Sequence, residues 1–374
     1  MADGSIGGFS DPKFAAAAEA FQANLNRGDD LGASFCATVD GEVVVDLWGG
    51  WADEARTRPW VKDTIVNVYS TTKTMTALTA LMIADRGLID FDAPVARYWP
   101  EFAQNGKEGV KVSHLMAHSS GLFGWTEKTG VQDIYDWDKA CARLAAQAPS
   151  WAPGTAPGYH ALTQGNLVGE VVRRVTGKSL GTVFKEEIAV PLGADFHIGL
   201  PASEDARVAD LIPPVAALPD VPPSEYLINI MTNPPIDPLD TRTRAWRAAE
   251  IPAANGHGNA RSIAQVHAIL ANGGVAQGRR FLSEAGCRAA LVPQVEGMDL
   301  VLGIPARYGL GFGLPDMIPI KNANSMFWGG YGGSLIIIDM DARTTFAYAM
   351  NKMGTTTIGD ERAMSIVRAM WTAL

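Results

Sequence analysis

The sequence predicts an α/β fold: an antiparallel sheet flanked by N- and C-terminal helices, with a mostly helical inserted domain. Three observations predict it. Alternating β-rich runs occur near both ends of the chain, helical patterns fill the middle, and the terminal β runs are joined by tight turns. Hairpins imply antiparallel pairing, because parallel strands need crossover connections.

The elements follow in order. Ser10 or Asp11 can cap a first helix, Pro12 suits its first turn, and Phe14, Ala17, Ala18, Phe21 and Leu25 share a face. Ser34 to Val39, Asp40-Gly41 and Glu42 to Trp48 read as a hairpin, since an Asp-Gly pair between β-rich runs favours the tight primed turn. A short extended piece, Ile65 to Tyr69, leads into a helix from Ser70 to Arg86 that is apolar on most sides and therefore central, with Gly87 at its end. Further helices are expected at Asn166 to Val175, Leu180 to Ile188 and Ser262 to Asn272. β character returns near Tyr308, and Gly309 to Gly313 reads as strand. A second hairpin is expected from Leu335 to Met340 and Thr345 to Asn351, and a last helix from Gly359 to Thr372. This divides the chain into a discontinuous sheet domain, 1–92 with 300–374, and a mostly helical domain, 93–299. The proline-rich stretch 213–238 is either a stiff flap over a site or a surface connector. A cleft between the two parts is where a site is expected.

Composition narrows the functional classes. The chain has 374 residues, 47% hydrophobic and 19% charged, with a net charge of −9. Disordered and coiled-coil classes are excluded, and an acidic chain without a basic block is a poor partner for nucleic acid or anionic membranes. Cys36, Cys141 and Cys287 form no CxxC, which argues against a disulfide framework or zinc module. No signal peptide or spanning segment is read, so a cytoplasmic enzyme without cofactor is expected; the oligomeric state is left open.

Three pieces of sequence bear chemistry. In Ser70-Thr71-Thr72-Lys73, a hydroxyl and an amine share one face of a helix start. Burial would lower the lysine pKa and make it a base, and the helix N-terminus would favour a developing oxyanion. Ser70 alone also reads as a helix cap. The other Ser-x-x-Lys, Ser10 to Lys13, precedes a surface helix and reads as a cap. Pro157-Gly158-Tyr159-His160-Ala161 is a rigid turn that either projects Tyr159 into a cleft or packs it on Trp151. Trp328-Gly329-Gly330-Tyr331-Gly332-Gly333-Ser334 is either a glycine-rich bulge or a place where backbone N–H groups meet a substrate carbonyl. There is no GxSxG elbow, no GxGxxG and no HExxH; His114 and His118 are four apart but lack metal-ligand company. Trp125, Trp151 and Trp246 are open between pocket, core and surface.

In this order the three pieces resemble the serine β-lactamase and penicillin-binding-protein superfamily, with its SxxK, Tyr- or Ser-based and KTG-type motifs. The flanking His118-Ser119-Ser120-Gly121-Leu122, Asn255-Gly256-His257-Gly258-Asn259-Ala260-Arg261 and Tyr308-Gly309-Leu310-Gly311-Phe312-Gly313 are similar too. The likeness is greatest to the class C-like family VIII carboxylesterases, whose third motif is often W-x-G. It implies a serine β-lactamase-like fold, Ser70 as nucleophile, Lys73 as base and Tyr159 as second acid/base. It also implies an oxyanion hole of the Ser70 and Tyr331 backbone N–H groups, with Trp328, Gly329 and Gly330 against substrate. Two positions depart from the superfamily. Trp328 stands where KTG has a cation, and Ala161 where Y-x-N has an amide. Each loses a polar contact worth about 1–3 kcal/mol to a lactam substrate. A neutral ester needs neither contact. The expected function is ester hydrolysis through an acyl-enzyme, with β-lactam or amide hydrolysis, acyl transfer, or non-catalytic binding as alternatives.

Overall fold

A computed structural model describes residues 5–214, 224–356 and 359–374. Six strands form the main sheet: β1 (Gly7–Ser10), β2 (Gly32–Val39), β3 (Glu42–Gly50), β4 (Ser325–Gly329), β5 (Leu335–Asp339) and β6 (Thr344–Met350). Their order is β1-β3-β2-β6-β5-β4, and every neighbouring pair is antiparallel. At the β2–β3 turn Asp40 and Gly41 take φ of 52° and 86°, the left-handed pair that a two-residue hairpin of this hand requires.

Helices cover both faces of the sheet. Along β6 the side chains alternate: Thr345 Oγ1 donates to the Ala264 carbonyl on α4 (Ala260–Ala271), whereas Phe346 meets Trp371 of α5 (Glu361–Trp371). With α1 (Ala15–Arg27) packed beside α5, β2 is buried almost end to end. The period-2 signal therefore weakens in β2, as expected of a strand covered on both sides. Helix α4 lies within 93–299, yet it belongs to the sheet layers.

The middle of the chain surrounds α2 (Thr72–Asp85), in which every residue from Thr72 to Ile83 is buried. It packs against α3 (Thr163–Thr176) and the turns that follow. Ser70 precedes α2 in a 3₁₀ turn, Tyr69–Thr71, rather than opening the α-helix itself. Other boundaries also differ. Only Val66–Asn67 of the stretch Ile65 to Tyr69 forms a strand, pairing with His257–Gly258. Gly309 to Gly313 is not a strand: Gly311 has a φ of 87° and Gly309 N–H closes a turn on Phe312 O. The helix begun at Leu180 changes after Phe184 into a π turn over Lys185–Ala189. Residues 215–223 of the proline-rich stretch lie outside the described residues. The part from 224 carries a helix, Glu225–Thr232, whose Tyr226 packs on Phe123 and Trp151.

Candidate active site

Three elements meet at the N-terminal end of α2. Ser70 is placed by a backbone turn that starts at Tyr69, with a φ of 42°, a region that costs a non-glycine residue roughly 1–2 kcal/mol. Tertiary contacts hold that turn. Val68 N–H donates to Gly256 O at 3.0 Å, Tyr69 N–H to Asn67 Oδ1 at 3.1 Å, and the Tyr69 ring packs edge-on to Trp246 and Tyr331.

One turn along, Lys73 is fully buried. Its Nζ lies 3.1 Å from Ser70 Oγ, 2.7 Å from Ala161 O and 2.9 Å from Ala253 O. No carboxylate among the described residues pairs with it, and burial holds its ammonium well below the ordinary lysine pKa. A neutral amine has two N–H donors and one lone pair. The carbonyls take the two donors, which leaves the lone pair for the Ser70 hydroxyl proton.

Tyr159 OH lies 2.5 Å from Ser70 Oγ, and Lys73 Nζ sits 4.9 Å from the centre of its ring. Burial, with the charge of Asp299 next, pushes the phenol's pKa up, while bonding to Ser70 and Trp328 opposes the rise. The phenol is therefore placed to donate to Ser70 Oγ, and when Lys73 is the neutral amine Ser70 O–H is placed to donate to its Nζ. Of the two readings of Tyr159, the structure shows the cleft. It is Gly158 that lies on Trp151, where a Cβ would come within 2.4 Å of the indole. His160 locks the turn: Nδ1–H donates to Gly158 O, Nε2 accepts from Ser120 Oγ–H, and the backbone N–H donates to His118 Nδ1.

The β4–β5 turn closes the other side. Ser334 Oγ donates to Val68 O and lies 2.9 Å from Thr71 Oγ1, which fastens this turn to the Ser70 turn. At Gly330 a Cβ would fall 2.1 Å from Val68 O, so only glycine allows the approach. Tyr331 N–H has no acceptor among the described residues. Behind the turn, Arg362 of α5 donates to Gly332 O at 2.7 Å and is held by Asp30 and Asp360.

Asp30 titrates in a measurable range. Its carboxyl is pushed up to about 6, mainly by burial, against the pull of Arg362 and Tyr348 and with Asp360 adding to the rise. Between about pH 4 and 6 the folded chain keeps a proton that the unfolded chain has released, so this group's contribution to stability falls as pH rises through that window. The Tm of wild type, measured against Asp30→Asn, is expected to fall between pH 4 and 7. A constant difference would assign the titration elsewhere.

Trp328 and Gly329 line a small pocket beside Tyr159, together with Leu302, Tyr308, Met317 and Phe327. No charged side chain lines it. His118 stacks on Trp328 with ring centres 5.2 Å apart. The sequence reading missed the roles of Ala161 O and Ala253 O as lysine acceptors, and missed His118, Asp299 and the pocket residues Leu302, Met317 and Phe327. The loss of an amide at position 161 was legible; the use of its carbonyl had no side-chain signal. Trp125 and Trp246 are core, and half-buried Trp151 stacks on Phe123. His114 Nδ1 accepts from Lys111 N–H, so it and His118 have separate partners.

A serine, a buried amine and a phenol thus lie in one bonded chain, beside a backbone N–H that has no acceptor among the described residues. The Beta-lactamase family model matches residues 17–370, and the chain belongs to that family. It is 36% identical over 369 residues to the esterase/beta-lactamase LipL of Mycobacterium tuberculosis (strain ATCC 25618 / H37Rv), covering 92% of this chain and 83% of that protein. A crystal structure of a family VIII carboxylesterase superposes with a TM-score of 0.94 at 46% identity, over 99% of this chain and 100% of the other. A penicillin-binding protein homolog from Caulobacter crescentus gives a TM-score of 0.90 at 39% identity, over 99% and 100%. The fold is thus the serine β-lactamase-like one.

Proposed function

We propose that this protein is a carboxylesterase of the β-lactamase fold that hydrolyses uncharged esters through an acyl-enzyme on Ser70. The observation that carries the reading is the bonded chain Tyr159–Ser70–Lys73, which ends in a buried amine with no carboxylate partner among the described residues. Ser70 Oγ attacks the ester carbonyl as its proton passes to Lys73 Nζ. The oxyanion is held by the backbone N–H groups of Ser70 and Tyr331. Tyr159 gives its proton to the departing alcohol and regains one from Lys73. Water, deprotonated by the same groups in reverse, then releases the acid and restores Ser70. Atoms and protons balance without a metal or cofactor.

Two observations favour ester over lactam. The pocket wall is aromatic and aliphatic, with Trp328 where the superfamily motif has a cation, and Ala161 offers no side-chain amide to a substrate. Similarity to LipL, whose name joins both activities, and to a penicillin-binding protein homolog keeps β-lactam hydrolysis as the second reading. Among the described residues no helix is long and apolar enough to cross a membrane. The unpaired, buried thiols of Cys36, Cys141 and Cys287 support a cytoplasmic placement.

The test is turnover of p-nitrophenyl butyrate against nitrocefin, with a fluorophosphonate label mapped by mass spectrometry. Labelling at Ser70 and a preference for the ester are expected. A preference for nitrocefin would reverse the substrate assignment, and an unlabelled Ser70 would remove the acyl-enzyme.

A further inference from the structure

The carboxylate of Asp299 is fully buried and accepts four hydrogen bonds. Oδ1 takes the backbone N–H groups of Tyr159 at 3.1 Å, Val301 at 2.9 Å and Leu302 at 2.8 Å, and Oδ2 takes the Tyr308 hydroxyl at 2.9 Å. A fifth bond, Leu300 N–H to Pro157 O at 2.9 Å, ties the same segment to the Tyr159 turn. Three of these donor residues, Tyr159, Leu302 and Tyr308, line the apolar pocket. They come from two segments far apart in the chain, and one carboxylate bonds to all three.

We propose that Asp299 is a positioning residue that holds Tyr159 against Ser70 and fixes the width of the apolar pocket, so that it governs both turnover and chain-length preference. The inference rests on the esterase reading above. Its physical basis is geometric: one buried oxygen that accepts from three N–H donors leaves those donors little freedom. Tyr159 OH must stay at hydrogen-bond distance from Ser70 Oγ to protonate a leaving group, and a misplacement near 1 Å costs about 10²-fold in rate. Leu302 and Tyr308 face the pocket from opposite ends of one short segment, so releasing them changes the space open to an alkyl chain. Asp299 itself does not line the pocket.

The experiment compares kcat and KM for ethyl acetate and ethyl hexanoate, whose leaving alkoxide needs the Tyr159 proton, in wild type, Asp299→Ala, Asp299→Asn and Tyr308→Phe. In Asp299→Ala the kcat for acetate is expected to fall about 10²-fold. The ratio of kcat/KM between the two esters is expected to move about fivefold or more. Asp299→Asn keeps an oxygen for the three N–H donors and an amide facing Tyr308, and is expected to stay within about threefold of wild type on both measures. A residue that mattered only for folding would lower the active fraction, and that fraction cancels in the ratio. Tyr308→Phe removes a single donor and keeps the ring, so it stands in if the alanine variant does not fold; its ratio is expected to move in the same direction. An unchanged ratio in the folded alanine variant, or in Tyr308→Phe, would overturn the proposal, as would an asparagine variant as impaired as the alanine one. Failure of the esterase reading would show separately, as wild type turning over neither ester. The same comparison would then be read from Ser70 labelling rates with methyl- and hexyl-chain fluorophosphonates.

Discussion

Ser70→Ala and Lys73→Met are each expected to lower kcat on p-nitrophenyl butyrate by about 10⁴-fold or more, and the double variant by no more than the worse single one. In the proposed mechanism alanine removes the atom that carries the acyl group. Methionine keeps the length of the lysine stem but has no lone pair basic enough for the Ser70 proton, so the intact hydroxyl becomes a poor nucleophile. Because the two residues perform one step, their losses overlap and do not add. Lys73→Arg is not expected to rescue, since a guanidinium stays charged at any working pH. Burial holds the Lys73 ammonium below its ordinary pKa, so wild-type kcat/KM should rise with pH along a limb displaced below the ordinary lysine range as the amine becomes neutral. Steady-state rates across pH check both points. Additive losses in the double variant, or a Lys73→Met enzyme with near-normal turnover, would give the base to another group.

Tyr159→Phe should separate leaving groups. The hydroxyl 2.5 Å from Ser70 Oγ is placed to protonate a departing alcohol, and general acid catalysis contributes about 10²–10⁴-fold. An alkyl alkoxide needs that proton, whereas p-nitrophenolate leaves without it. Loss on ethyl butyrate is therefore expected near 10³-fold, and on p-nitrophenyl butyrate at least tenfold less. Equal losses on the two esters would mean that Tyr159 serves attack or structure rather than departure of the alcohol.

The limits of sequence reading show at particular residues. The Ser70–Lys73 pair was legible because helix geometry alone puts residues three apart on one face. The first hairpin was legible because Asp40-Gly41 is locally suited to positive φ. Gly309 to Gly313 was misread as strand: alternating small and apolar residues look like a half-buried strand, but the φ of 87° at Gly311 turns the chain. At Gly311 a Cβ would sit 2.3 Å from Ala77 Cβ, so the glycine serves a close approach to α2. That α4 packs on the main sheet was not legible, because a helical period says which face is apolar and not which layer that face meets.

The sequence by itself determined the terminal hairpins with their antiparallel pairing, the buried central helix and the three motifs, since each depends on neighbours a few residues away. Only the tertiary structure decided what the motifs do to one another. Lys73 is buried and bonded to two backbone carbonyls 88 and 180 residues distant, and the backbone N–H of Tyr159 is bonded to a carboxylate 140 residues away. Desolvation and hydrogen-bond direction are properties of a filled volume, and a volume enclosed by segments so far apart in the chain has no local signature.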